Sequence, residues 1–174
     1  MPNIILRAPE LEDIQSIYKW ENDENVWADS CTIAPYSLNQ LTEYVANYDG
    51  DIFKTRQLRL MIEDSDTGET VGCIDLYDYD PINNRCFIGF IIDPKNRLKG
   101  YAHAAVDKTV DYCKSRLSMV QLAAITSVDN IGCKKVLINN GFTCSGLLRK
   151  WIKTKRQEYI DAEILQLDLD RNTQ

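Results

Sequence analysis

The spacing in this chain most able to do chemistry is Arg97-Leu98-Lys99-Gly100-Tyr101-Ala102. It lies between an apolar run, Cys86-Phe87-Ile88-Gly89-Phe90-Ile91-Ile92, and a stretch whose apolar residues recur at three and four. A helix that begins after such a strand presents unpaired amides and the positive end of its dipole. A turn at that place holds an anion if the backbone touching it carries little side-chain bulk. Gly100 and Ala102 meet the condition. No Lys-Ser/Thr pair follows the glycine and no second glycine makes GxGxxG, so triphosphatase and dinucleotide loops are excluded. A pyrophosphate cradle built from backbone amides is expected. His103, the single histidine, stands in the first helical turn and is expected to offer its amide rather than a catalytic imidazole.

Other reactive side chains are few. Asp75 and Asp78 lie in an apolar strand and could attract an ammonium or take its proton through water. Three apart on a strand, they face opposite sides, so only one points into a common cleft unless the strand is bulged. Glu21, Asp23, Glu24 and Asp29, beside Trp20 and Trp27, form an acidic and aromatic segment that either closes over a cationic ligand or is a solvated loop. Cys133 precedes Leu137 by one helical turn and is either a proton-donating thiol or, the favoured reading, a small packed residue. The basic run Lys150 to Arg156 reads as a solvated hairpin tip.

The elements that must position these residues follow from periodicity. Ile4 to Arg7 reads as a strand, Leu11 to Trp20 as a helix, and Ser37-Leu38-Asn39-Gln40 as a capping box opening a second helix. Two strands flank the turn Asp64-Ser65-Asp66-Thr67-Gly68 as a hairpin. The run ending at Asp93-Pro94 is expected to be a central strand, covered on both faces. Ala102, Ala105, Val106, Thr109, Val110, Cys113 and Leu117 mark a helix, followed by a strand over Val120 to Thr126. A helix capped by Asp129 or Asn130 stops at Asn140-Gly141, and two strands near 144–152 and 158–167 close the chain. The expected fold is therefore α/β, a mixed sheet in the order β-α-α-β-β-β-α-β-α-β-β, as one domain over residues 1–174.

With 26 acidic and 20 basic residues and a net charge of −6, nucleic acid is a poor partner and a cationic one suits better. The six cysteines form no CxxC pair, which suits a reducing cytoplasm. The start of the chain has no leader pattern and nowhere do 18 apolar residues run together, so no membrane association is expected.

Arg97-x-x-Gly100-x-Ala102 resembles motif A of the GNAT acetyltransferase superfamily, (Q/R)-x-x-G-x-(G/A). Leu6-Arg7-Ala8-Pro9, Ile88-Gly89-Phe90, Asp129-Asn130, Asn140-Gly141-Phe142 and Ser145-Gly146-Leu147-Leu148-Arg149 fall in that family's order, nearest the branch of spermidine and ribosomal-protein N-terminal acetyltransferases. The resemblance implies acetyl-CoA as the acetyl donor, with no metal. Amides of Leu98, Gly100, Tyr101, Ala102 and His103, in the turn that also holds Arg97 and Lys99, would grip its pyrophosphate. Main-chain groups of Phe90, Ile91 and Ile92 would pair with the pantetheine arm, an amide near Ile91 would steady the oxyanion, and Asn130 would touch the arm. Asp75 and Asp78 match acidic positions of the spermidine enzymes, whereas Phe87 replaces an acid. Many members use a tyrosine four residues before Gly-Phe as general acid, and here that position is Leu137. The expected activity is transfer of acetyl to a primary amine by direct attack. A small cationic amine or polyamine is the preferred acceptor, a protein N-terminus the runner-up, and a silent acyl-CoA-binding domain a third reading that Leu137 motivates. A homo-oligomer stays open.

Overall fold

The computed structural model describes residues 1–23, 34–154 and 157–169. Seven strands form one sheet: β1 (Ile4–Arg7), β2 (Leu58–Asp64), β3 (Thr70–Asp80), β4 (Arg85–Ile92), β5 (Gln121–Ser127), β6 (Thr143–Lys153) and β7 (Tyr159–Asp168). Their order is β1-β2-β3-β4-β5-β7-β6, and among the described residues the only parallel pairing is β4 with β5. The described helices are α1 (Ile14–Glu21), α2 (Leu38–Ala46), α3 (Ile52–Thr55), α4 (Tyr101–Ser115) and α5 (Ile131–Asn139), with 3₁₀ turns at Leu11–Asp13 and Pro94–Asn96. The mixed sheet expected from the periodicity is present. None of the described helices is long and apolar enough to cross a membrane.

Two apolar layers follow from strand alternation. Ile62, Ile74, Leu76 and Ile88 join Ala105 and Val106 of α4 and Leu137 of α5 on one face. Met61 and Cys73 join Ile14, Ile17 and Trp20 of α1 and Leu41 and Val45 of α2 on the other. Connection β4-α4-β5 is the parallel crossover anticipated between Cys86 and Thr126.

Local chemistry explains the element ends. Ser37 Oγ accepts from Gln40 N at 3.1 Å while Gln40 Oε1 accepts from Ser37 N at 2.8 Å, the reciprocal cap that starts α2. Helix α3 is an addition to the expected order. Asp51 caps it through Phe53 N at 2.9 Å, and Arg56 at φ 65° ends it after four residues, too few for a periodic signal. Arg7 forks onto Asp13 at 2.7 and 2.9 Å and also meets Glu63 and Thr70, fastening β1 to β2, β3 and the Leu11–Asp13 turn. Burial opposes the charge of Asp13, but the bonds from Arg7, the Glu10 amide and Thr70 outweigh it and hold the carboxyl below its usual range.

Candidate active site

The parallel ladder between β4 and β5 consists of Arg85↔Gln121, Cys86↔Leu122 and Phe87↔Ala123, and stops there. Both strands continue, β4 to Ile92 and β5 to Ser127, so they part and, among the described residues, leave one edge of β4 without a partner strand over its last residues. Register with β3 decides which groups line that edge. Asp93 N donates to Val71 O at 2.9 Å, and Gly72↔Ile92, Cys73↔Ile91 and Ile74↔Phe90 follow. Antiparallel pairs alternate, so the main-chain groups of Ile91 turn into the β3 ladder while those of Phe90 and Ile92 turn into the gap. This corrects the expectation for Ile91: its amide is committed to β3 and does not face a ligand in the cleft. Arg97 Nε donates to Ile92 O at 3.2 Å, leaving the main chain of Phe90 and the amide of Ile92 to pair with a strand-like ligand.

Gly72, which the sequence reading passed over, makes this register possible. A β-carbon there would lie 2.2 Å from Ile91 O and 3.1 Å from Ile92 Cα.

Below the gap the chain turns into α4. Leu98 and Gly100 take left-handed φ of 61° and 89°, and Gly100 is the N-cap. The first i to i−4 bond of the helix joins Ala104 N to Gly100 O at 3.1 Å, so the amides of Tyr101, Ala102 and His103 precede it and point out of the helix end. Among the described residues, Nδ1 of His103 is buried without a hydrogen-bond partner. These residues fit a pyrophosphate: the unpaired amides converge where a glycine keeps the surface bare.

A ring of side chains fixes the turn. Tyr101 Oη donates to Asp64, which pushes the phenol up to about 12. Glu69 accepts from Asn96 Nδ2 at 3.0 Å and pairs with Lys95 at 2.8 Å, and Lys99 Nζ reaches Asn96 Oδ1 at 2.8 Å. Asp93 ties the turn to α1 through Lys19 Nζ at 2.9 Å and Trp20 Nε1 at 3.0 Å, and accepts from Lys95 N at 3.1 Å. Burial alone would raise the Asp93 pKa, but the Trp20, Lys19 and Lys95 bonds outweigh it and hold the carboxyl at about 2. A carboxyl whose folded pKa lies below its unfolded value adds stability above that unfolded value, near pH 4, and loses it as pH falls toward 2. Asp93→Asn is therefore expected to destabilise by about 2 kcal/mol near neutral pH, with the difference from wild type closing between about pH 4 and 2. Urea midpoints over that range check this; a difference independent of pH would rule out the charge as its source.

Across the gap, Asn130 caps α5, its Oδ1 accepting from Cys133 N at 3.1 Å. Cys133 is half-buried and packs against the main core. Leu137 is 0% exposed in that core, so the position to which the resemblance assigns a tyrosine is filled here by hydrocarbon.

On the α1–α2 face, Asp75 registers with Gly89, and both therefore project toward the same layer. Asp75 is held by Arg59, whose Nε and Nη2 donate to its two oxygens at 2.7 and 2.8 Å. Arg59 Nη1 also donates to Glu21 at 2.6 Å. The strand is bulged between Tyr77 and Asp80, and Asp78 sits in the bulge at φ 52°, exposed. Only Asp75 of the pair thus keeps its strand register beside the parting. Glu24, with Trp27 and Asp29, lies outside the described residues. Cys73 on the same face is fully buried, which pushes its thiol up to about 12 and makes it no nucleophile. Arg59, which holds Asp75 and Glu21 together, went unnoticed in the sequence. A lone arginine inside Leu58-Arg59-Leu60-Met61-Ile62 was the available signal.

Fold and site together define a cleft for a long, thin, phosphate-ended ligand: strand-like main chain along β4, and free amides at the start of α4. A protein-family model for the acetyltransferase (GNAT) domain matches residues 3–143, and the chain belongs to that family. It is similar to the uncharacterized N-acetyltransferase YoaA of Bacillus subtilis (strain 168), 26% identical over 149 residues that cover 86% of this chain and 84% of the relative. It is 25% identical to the spermidine N(1)-acetyltransferase of Vibrio cholerae over 149 residues, 83% of this chain and 82% of that one. A crystal structure of spermidine N-acetyltransferase from Vibrio cholerae, in complex with CoA and spermine, superposes with a TM-score of 0.84 over 95% of each chain at 22% identity and shows the same fold.

Proposed function

We propose that this enzyme moves the acetyl group of acetyl-CoA to a primary amine of a small cationic acceptor or polyamine by direct attack. The observation that carries the reading is the parted edge of β4 above the bare, amide-rich start of α4. Tyr101, Ala102, His103 and Gly100 hold the pyrophosphate there, and Phe90 and Ile92 hold the arm as an added strand. The thioester then sits near Gly89 and Phe90, where a main-chain amide of the unpaired edge steadies the developing oxyanion. An ammonium arriving from the α1–α2 face loses one proton to solvent, the neutral amine attacks the carbonyl carbon, a second N–H proton passes to solvent, and the C–S bond breaks as the thiolate leaves. Leu137 offers that thiolate no proton, so solvent in the open cleft is the donor. Kinship with the Vibrio cholerae spermidine enzyme supports the choice of acceptor. A solved form of that enzyme is dodecameric, which supports an oligomer here as well. Among the described residues, Cys73, Cys86, Cys113 and Cys144 form no disulfide, which supports a reducing cytoplasm.

Thiol release from acetyl-CoA is expected to accelerate at least tenfold when diamines or polyamines are added. Release driven by peptides alone would instead favour an N-terminal acetyltransferase. Tight acetyl-CoA binding with no acceptor-dependent release would favour a silent binding domain.

A further inference from the structure

Register places the pairs Cys73↔Ile91, Asp75↔Gly89 and Tyr77↔Phe87 in succession along β3 and β4. Alternate residues of a strand share a face, so all three pairs look toward α1 and α2, while Ile74, Leu76 and Ile88 between them enter the other layer. Cys73 is buried in the core under α1 and α2, and Ile91 packs against that core. Tyr77 and Phe87 are half-buried and stacked, with centroids 5.6 Å apart and planes 21° from parallel. Gly89 is therefore a bare floor with packed hydrocarbon at one end, an aromatic pair at the other and Asp75 across from it.

The Tyr77 ring leans over this floor. Among the described residues, a β-carbon built at Gly89 would meet Tyr77 Cε1 at 3.5 Å and nothing else within 4 Å. One saturated carbon at that point is in ordinary contact with the ring. A second carbon bonded to it, ~1.5 Å further toward the ring, would approach the ring to about 2–3 Å, well inside contact distance. Swinging the ring aside would break its stack on Phe87. The room between main chain and ring is one methylene deep.

We propose that Tyr77 is a specificity-determining residue: its ring, set against the bare main chain of Gly89, admits an amine carried on an unbranched CH2 and rejects one carried on a branched carbon. The inference deepens the acetyl-transfer reading and rests on it, since the carbon bearing the attacking nitrogen crosses the space over Gly89 on its way to the thioester. A polyamine meets the condition at each end. The terminal amine of a peptide stands on a branched carbon in every case but glycine, so the same ring disfavours a protein acceptor.

The test is kcat/KM at saturating acetyl-CoA for 1,4-diaminobutane and 2,5-diaminohexane, which carry equal charge and differ by a methyl group beside each nitrogen. Wild type is expected to favour the unbranched diamine roughly thirtyfold or more, the range that a misplaced methyl group costs in a packed site. Tyr77→Ala is expected to bring the two within about threefold, chiefly through a gain with the branched diamine. Gly89→Ala fills the same space from the floor and is expected to lower kcat/KM for 1,4-diaminobutane roughly tenfold, with Tyr77→Ala in that background restoring most of the loss. Should Tyr77→Ala fail to fold, Gly89→Ala decides: unaltered kcat/KM for 1,4-diaminobutane in that variant overturns the proposal. A wild type that uses both diamines within about twofold overturns this inference alone and leaves the reaction standing. A wild type that releases no thiol with either diamine overturns the proposed reaction for small cationic amines together with this inference.

Discussion

Gly100→Glu is expected to weaken acetyl-CoA binding at least a hundredfold, the largest single-residue effect on the donor site. Two causes act together. Gly100 sits at φ 89°, where a residue with a side chain costs roughly 1–2 kcal/mol, and a β-carbon would lie 3.2 Å from Pro2 Cδ. Beyond that, the carboxylate falls among the unpaired amides of Tyr101, Ala102 and His103, satisfying them in place of the pyrophosphate and repelling it. Gly100→Ala separates the two: it brings the strain and the crowding of Pro2 without the charge, so it is expected to lose stability similarly but no more than about tenfold in affinity. Calorimetric titration with acetyl-CoA, alongside thermal melting, reads both. Wild-type affinity in Gly100→Glu would remove the turn from the donor site.

The contrast between what was legible in the sequence and what was not follows from range. The turn from Arg97 to Ala102 was legible because its glycine, the strand before it and the helix after it are local signals, each set by neighbours within a few residues. The Ser37 cap was legible for the same reason. Facing was another matter. Whether Ile91 or its neighbours Phe90 and Ile92 present amides to the gap depends on a one-residue choice of register with β3, and no periodicity inside the run Ile88-Gly89-Phe90-Ile91-Ile92 records it. The bulge that removes Asp78 from the ladder is equally silent. The Arg59 to Asp75 fork joins two strands across a hairpin, and only the fold brings it to Glu21. Leu137 could be recognised as a departure, but its being sealed in the core, with no polar group offered to the cleft, is a matter of packing.

That dependence on register makes Gly72 the position where a single methyl group is expected to disturb the fold and the donor site together. A β-carbon at Gly72 would meet Ile91 O at 2.2 Å and Ile92 at 3.0 Å (Cδ1) and 3.1 Å (Cα). The first and last of these are main-chain atoms that cannot rotate away, so β3 and β4 must separate at the residues whose opposite edge lines the gap. Overpacking of this kind costs about 3 kcal/mol, and the displacement carries the amide of Ile92 and the main chain of Phe90 with it. Gly72→Ala is accordingly expected to lower the urea midpoint and, in whatever fraction stays folded, to raise the KM for acetyl-CoA tenfold or more. Gly89→Ala on the partner strand is the control for stability, since its β-carbon would meet only Tyr77 Cε1 at 3.5 Å, an ordinary contact, and leave the urea midpoint nearly unchanged. Equal stability and equal acetyl-CoA KM for Gly72→Ala and wild type would mean that β3 does not hold β4 in the register described, and with it would go the assignment of Phe90 and Ile92 to the donor's arm.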